Sequence, residues 1–450
     1  MSDNPSAPMV PGASISPAQQ ALAAETKAEH TATGTIRTPV KPKYIVFLLL
    51  GMLGAYVALV APIGFSLSLR VQELAPANVE VLGYIIGIGA IVTTITGPLI
   101  GLWSDRTRSR LGRRRQFALG GAVLGFLGLV VIAAAGNVPV VLIGWVFAAM
   151  GWTASMNSLL QSQADRLPES QYGRVAGLTG FVQMAAPVLG VGLASAFVGN
   201  NFLVFLVPGG VGLVLLFLWF LLVPERDTRQ AEFSERLSTR NVLRSMVFNP
   251  RQYPDFAWNW LARLLFMTGV TFSTTFTSLF FASRLSEGGQ VADIGGVIVV
   301  ISLVSLVVTG VGALAGGFLS DRLGRRKIFV LASGIVYTVG ALTLAFGGSN
   351  FGILIAGSAM TGLALGVFSS VDQALVLTVL PEKESAAGRF LGINGYSTSI
   401  AQAVAPLIAA PLILIGVTGD DRNYGLLFLV AAVCTITAGI IVQWKVRSVR

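Results

Sequence analysis

The sequence predicts an all-α membrane protein of twelve transmembrane helices arranged as two six-helix halves. Three observations carry that expectation. Of 450 residues, 54% are hydrophobic and 12% charged, with a mean hydropathy of +0.74. The apolar residues fall in many runs of about twenty, the length that crosses a ~30 Å hydrocarbon core. The basic stretch Gly101-Leu-Trp-Ser-Asp-Arg-Thr-Arg-Ser-Arg-Leu-Gly-Arg-Arg-Arg115 returns in shortened form as Gly317-Phe-Leu-Ser-Asp-Arg-Leu-Gly-Arg-Arg-Lys327. A repeat at about half the chain length is the mark of a duplicated bundle.

Taken in order, residues 1–42 are rich in Ala, Pro, Ser and Thr, with little to bury, and predict a disordered cytoplasmic tail without the apolar core of a signal peptide. The first half, 43–224, reads as Tyr44–Leu69, Val81–Leu102, Phe117–Ala135, Val138–Gln163, a fifth run from near Gly173 and a sixth ending at Val223. A charged linker, 225–255, carries Pro250 and Pro254 and separates the halves. The second half, 256–446, repeats the plan at about 256–283, 292–319, 328–347, 351–380, 389–417 and 424–445, with a short tail at 447–450. A second internal match supports the duplication: Leu167-Pro-Glu-Ser-Gln-Tyr-Gly-Arg174 before the fifth run corresponds to Leu380-Pro-Glu-Lys-Glu-Ser-Ala-Ala-Gly-Arg389 before the eleventh. Six crossings return the chain to its starting side, so the halves share one topology about an axis along the membrane normal.

The formal charge of +10 does not indicate a nucleic-acid partner, because the basic residues sit between apolar runs instead of on one soluble face. With the N-terminus in the cytoplasm, all of the 31 Lys and Arg fall on the cytoplasmic side except Arg70, Arg284 and Arg422 at outer ends and Arg263 inside a helix. That is the positive-inside pattern of a multi-pass cell-membrane protein with both termini cytoplasmic. The single cysteine, Cys434, excludes an intramolecular disulfide, and the single histidine, His30, lies in the tail, so no membrane metal site or histidine relay is expected. No phosphate-binding glycine loop and no nucleophile with a nearby base is visible, so neither a cofactor nor an enzymatic activity is expected.

The pattern Gly-x-x-x-Asp-Arg-x-Gly-Arg-Arg at 317–326 resembles the loop signature of the major facilitator superfamily, and the likeness extends over about 43–446. The first copy carries four extra residues before Gly112, a form similar to the branch of glycoside, pentoside and hexuronide carriers and sucrose–proton symporters. Sodium-coupled members of that branch have acidic residues in the first two helices, and the corresponding runs here have none. The resemblance implies that Asp105 and Asp321, each followed by an arginine (Arg106, Arg322), face the starts of helices in the opposite half, where Arg389 and Arg174 stand. A carboxylate at a helix N-terminus gains about 0.3–1 kcal/mol from the macrodipole, and a guanidinium partner adds to it. Such contacts would latch the cytoplasmic side shut. The remaining arginines of the two loops are expected to orient the chain and meet anionic lipid heads.

Charge inside the membrane is scarce. Asp372 and Arg263 stand well inside apolar runs, at similar depth, and can pair. A central charge costs about 2.5–3.5 kcal/mol on insertion scales, so it faces a cavity or a partner. Two readings stand side by side: a structural ion pair, or a proton-coupling site at Asp372. Hydrogen-bonding candidates for a substrate are Thr153, Asn157 and Gln161, spaced i, i+4, i+8 beside Trp152, with Trp260, Arg263, Ser369, Gln373 and Asn394 from the second half. Amides beside aromatic rings suit a hydroxyl-rich ligand; helix back-bonding and interhelical packing are the plainer roles for the same residues. The expected function is alternating-access transport of a small molecule, with proton-coupled uptake of a sugar or glycoside leading. Efflux of hydrophobic compounds and a non-transporting sensor of the same fold are the alternatives.

Overall fold

The computed structural model describes residues 39–110, 112–225, 247–382, 387–417 and 422–447, without the side chains of Leu102, Asp105, Glu169, Tyr172 and Ala387. The expected tail up to Thr38, most of the linker and the last three residues lie outside the described residues, as does His30.

The helices are α1 (Pro42–Ala61), α2 (Leu67–Leu74), α3 (Val81–Arg106), α4 (Arg115–Ala133), α5 (Val138–Arg166), α6 (Glu169–Ser195) and α7 (Leu203–Leu222) in the first half. The second half has α8 (Pro254–Thr275), α9 (Thr277–Leu285), α10 (Gly295–Leu323), α11 (Arg326–Phe346), α12 (Phe351–Val379), α13 (Ala387–Leu412) and α14 (Tyr424–Lys445). Among the described residues there is no strand. Asn137 and Asn350 begin α5 and α12 alike, each side chain accepting a backbone N–H three residues on. The duplication therefore extends to matching caps, which satisfy donors that a helix start leaves open.

Two expected single helices are interrupted for local reasons. Pro62 cannot donate an N–H, and the chain passes from α1 to α2 through a π-helical turn, Pro62–Ser66, in which Leu67 N reaches Pro62 O. The seventh run, expected as 256–283, breaks at Phe276 and bends by 46°. Around the break Thr274, Thr275 and Thr277 turn their hydroxyls back onto Val270 O, Thr271 O and Ser273 O, a pattern that loosens and bends helices.

Among the described residues ten helical spans are long and apolar enough to cross a membrane, and the bent pair α8–α9 makes an eleventh. The twelfth expected position is held by α13, 26 residues long, whose Asn394, Tyr396, Ser397, Thr398, Ser399 and Gln402 dilute its apolar character. Its length is sufficient to span at 1.5 Å per residue.

Within the first half α4 packs on α5, and α1 on α6 and α7; within the second, α12 packs on α10 and α11, and α8 on α13 and α14. Small residues set the closest crossings. At Gly128 and Gly144 a β-carbon would press on the backbone of the facing helix, and Gly340 and Gly357 occupy the equivalent crossing of α11 and α12. Between the halves, α3 meets α13 and α6 meets α10. These contacts concentrate at the end away from the arginine loops, where Gly83 and Gly87 of α3 abut Pro406 and Leu407, and Gly295 abuts Ser195. At the basic end, by contrast, no atom of another element comes within 4 Å of a notional β-carbon on Gly173, Gly177 or Gly180 of α6, or on Gly392 or Gly395 of α13.

This packing gives a paired expectation. Gly151→Leu would drive a side chain into α4 at Gly125 and should cost at least the ~1–3 kcal/mol typical of overpacking, read as a lower thermal unfolding midpoint in detergent. Gly177→Leu, facing open space, should leave the midpoint nearly where it was.

Candidate functional site

A cavity of about 1180 Å³ lies between the halves. It runs from Tyr56 and Trp145 in the interior to Gly101, Gln161 and Arg389 at the basic end. Its walls come from α1, α3, α5 and α6 on one side and from α8 and α13 on the other. No residue of α10, α11 or α12 lines it.

Helical geometry explains which expected residues reach it. Thr153, Asn157 and Gln161 all do, because positions i, i+4 and i+8 share a face of α5. Trp152, one residue earlier, points about 100° away, where it is fully buried against Gly125 of α4 and Gly212 of α7. Trp260 is turned to α13, its Nε1 donating to Ile393 O at 2.9 Å. Asn394 is buried between helices. Ser369 and Gln373 stand on α12, behind the wall. In this conformation Trp152, Trp260, Arg263, Ser369, Gln373 and Asn394 are not among the residues that line the cavity: the first three and Asn394 are turned toward neighbouring helices, and Ser369 and Gln373 stand on a helix behind the wall.

The cavity contains further polar groups, Thr271 and Gln402 among them. Thr93 and Thr94 of α3 and Thr271, Thr274 and Thr275 of α8 line it, each hydroxyl donating to its own helix and keeping lone pairs for an incoming donor. Gln183 of α6 and Tyr396, Thr398, Ser399 and Gln402 of α13 face it as well. Among the described residues no hydrogen bond is made by the amides of Asn157, Gln183 and Gln402 or the hydroxyls of Tyr56 and Tyr396. Threonine and tyrosine are too common in membrane helices to flag on their own; their shared face became visible once the two halves were placed together.

Arg263 and Asp372 do pair, through Arg263 Nη1 and Asp372 Oδ2. Asp372 is 1% exposed and also accepts from Asn259 Nδ2 at 3.4 Å, while Arg263 Nε donates to Thr398 Oγ1 at 3.3 Å. The cluster thus joins α8, α12 and α13.

The arginine loop has protein partners that the sequence reading did not foresee. Arg113 and Arg114 each reach Asp165 at the end of α5, at 3.0 Å. Arg114 also donates to Ser104 Oγ and, at 2.7 Å, to Gln161 Oε1 in the cavity mouth. Glu225 accepts from the backbone N–H of Arg114 and Arg115 at the start of α4, and Arg115 stacks on the Phe220 ring. These three arginines fasten α3, α4, α5 and the end of α7 together, so lipid contact and orientation are not their whole role. Asp321 pairs with Arg326 at 3.1 Å inside its own half, and Arg322 is exposed beside it. Arg106 and Arg174 are exposed, Arg389 donates to Val247 O at 2.8 Å, and the Asp105 side chain lies outside the description. Asp321 thus meets an arginine of its own half.

The opposite end is closed by direct contacts between the halves. Glu80 pairs with Arg422 at 3.3 Å, and both side chains are largely buried. The Gln72 amide donates to Gly289 O at 2.7 Å and accepts from Val291 N at 2.8 Å, and Ser278 Oγ donates to Gly64 O. Arg422 had stood out in the sequence as an exception to the charge asymmetry, and that was the available signal.

Comparison with known proteins agrees with this architecture. The profile of the Major Facilitator Superfamily matches residues 44–313 and 296–449. The chain is 29% identical over 126 residues to the minor myo-inositol transporter IolF of Bacillus subtilis, a stretch that covers 28% of each protein. It is 23% identical over 357 residues to the riboflavin transporter RibZ of Clostridioides difficile, covering 70% of this chain and 76% of that one. A solved D-xylose–proton symporter superposes with a TM-score of 0.68 at 16% identity, over 90% of this chain and 98% of its own. The inter-half cavity open at one end and shut at the other, the twofold repeat and a profile match over nearly all of the helical region agree, and the chain belongs to the Major Facilitator Superfamily of membrane transporters.

Proposed function

We propose that the protein takes up a neutral, hydroxyl-rich solute, a sugar or glycoside, with protons by alternating access. The observation that carries this reading is the cavity lining: the amides of Asn157, Gln183 and Gln402 and the hydroxyls of Tyr56 and Tyr396 converge from both halves without protein partners. Among the described residues no carboxylate lines the cavity and the cation that does, Arg389, stands at the mouth, which suits a ligand without positive charge. Tyr56 and Tyr396 offer apolar faces to the C–H side of a sugar ring. The volume exceeds the ~300–1,000 Å³ usual for small-molecule sites and accommodates more than one ring. The four extra residues in the first arginine loop and the cargoes named for two similar proteins, myo-inositol and D-xylose, support the same class.

In this reading the protein resides in the cell membrane with its basic end and both termini in the cytoplasm, as the distribution of Lys and Arg favours. The conformation is then inward-open. Glu80–Arg422 and Gln72 hold the outer side shut, and Asp105–Arg389 and Asp321–Arg174 close the inner side in the alternate state. Asp372, buried against Arg263, carries the proton. Efflux of apolar compounds is the second reading, favoured by Met156, Met267, Val270 and Ile86 in the wall.

Proteoliposomes tested with radiolabelled sugars and polyols should accumulate one class when the outside is acidic; resistance to toxic compounds without accumulation would favour efflux. Asp372→Asn should abolish gradient-driven accumulation yet keep counterflow, and full accumulation in that variant would remove the coupling role. Asn157→Ala should raise KM for the transported sugar about tenfold, the loss of roughly 1–2 kcal/mol of hydrogen bonding. Glu80→Gln should move the population toward outward-open and Asp105→Asn toward inward-open, read by labelling of cysteines introduced at either end in a Cys434→Ser background. Unchanged labelling would count against either latch.

A further inference from the structure

Asp372 and Arg263 lie behind the cavity wall, so an occupant of the cavity can influence them only through a residue that touches both regions. Thr398 is such a residue. It lines the cavity, and its Oγ1 accepts from Arg263 Nε at 3.3 Å while Arg263 Nη1 holds Asp372. The guanidinium is therefore steadied at two points, one of which faces the ligand space.

The same cluster contains two acceptors with nothing to accept. Asn259 Oδ1 and Asn394 Oδ1 are buried and without a hydrogen-bond partner. Asn259 stands one helical turn before Arg263 on α8, and Asn394 one turn before Thr398 on α13. Buried carbonyl oxygens are rarely left so, and a guanidinium has five N–H donors to distribute. These oxygens supply what Arg263 needs if it lets go of Asp372. Other charges do not compete: Arg326 of α11 meets α12 farther along, at Ala374 O and Thr378 Oγ1, and α10 and α13 bring no charged or titratable side chain to Asp372.

We propose that Thr398 is the positioning residue that holds Arg263 on Asp372 and through which an occupant of the cavity releases that pair. A ligand hydroxyl that donates to Thr398 Oγ1 competes with Arg263 Nε for the same lone pairs. The guanidinium then turns toward Asn394 Oδ1 and Asn259 Oδ1. As Arg263 swings aside, the space behind Thr398 admits cavity water to Asp372, which takes a proton from a hydronium ion: one O–H bond forms at the carboxylate, one breaks in hydronium, and water remains. Binding of ligand and of proton thereby assist each other, as linkage requires. This inference rests on the proton-carrying role of Asp372 and adds the residue that joins it to the ligand.

The test needs no knowledge of the cargo, because Thr398→Val removes the acceptor at nearly constant shape. Spin labels at Ser170→Cys and Leu323→Cys, in a Cys434→Ser background, report the separation of α6 and α10 at the basic end in nanodiscs as pH is varied. The unmodified site should give a pH-dependent distance distribution with one midpoint. Thr398→Val should move that midpoint by about one pH unit, a tenfold change in proton affinity, toward alkaline pH, and Thr398→Ser should restore it. Asp372→Asn should abolish the pH dependence. If Asp372→Asn is flat and Thr398→Val keeps the original midpoint, the role of Thr398 is wrong while proton coupling at Asp372 stands. If the pH dependence survives in Asp372→Asn, or is absent at the outset, the proton-carrying role fails and the inference with it.

Discussion

A charge placed in hydrocarbon must be paired or must reach water, and the buried Arg263–Asp372 pair shows how much structure follows from meeting that condition. Asp372 is closed off from the cavity, so its compensation has to come from side chains. Arg263 provides it from α8, Asn259 adds a hydrogen bond from one turn earlier, and Thr398 steadies the guanidinium from α13. Removing either charge would leave the other unpaired in a dry interior, which is far more costly than the pair is favourable. The three helices are thereby held in one register, and two of them, α8 and α13, form the second-half wall of the cavity. One ionic contact thus fixes both the packing of the half and the face that it presents to a ligand.

The same condition sorts the remaining polar groups. Threonines of α3 and α8 satisfy their hydroxyl protons on their own helices and so can line a cavity without depending on it. Amides have no comparable internal solution, and Asn157, Gln183 and Gln402 stand where water or a ligand can serve them. Buried polar groups without such access are the expensive ones, and Asn259 Oδ1 and Asn394 Oδ1 fall in that class beside the ion pair.

Much of this was legible in the sequence, and the failures have a common cause. Hydropathy and the two repeated loops gave the helices and the duplicated plan because both depend on local composition. The shared face of Thr153, Asn157 and Gln161 was legible because helical period alone determines it. Trp152 was misplaced by the same geometry, since a neighbour in sequence lies about 100° around the helix. Ser369 and Gln373 were read as substrate candidates because they are hydrogen-bonding groups within an apolar run, but α12, which carries them, sits behind the wall. The bend at Phe276 and the closing contacts of Gln72 and Glu80 depend on what the opposite half presents, which no local pattern encodes.

The distribution of fastenings also bears on how such a molecule moves. Inside each half the joints are strong: glycine crossings at Gly128–Gly144 and Gly340–Gly357, Arg113 and Arg114 on Asp165, and Arg326 on Ala374 O. Between the halves, the described residues hold the closed end through the Glu80–Arg422 pair, hydrogen bonds of Gln72 and Ser278 and the abutting glycines of α3 and α10. The Glu80–Arg422 pair is largely buried, but when the halves part both partners reach water together, so opening strands neither charge in a dry interior and the net cost stays modest. Two rigid bodies joined by weak polar contacts at one end can exchange them for a comparable set at the other with little net change. The repeated Asp-Arg loops lie at that other end, and Arg113, Arg114, Arg115 and Arg326 are tied into their own halves, so the motif can meet the opposite half without being dismantled. Rigidity within halves and exchangeable contacts between them are the two properties that alternating exposure of a central cavity requires.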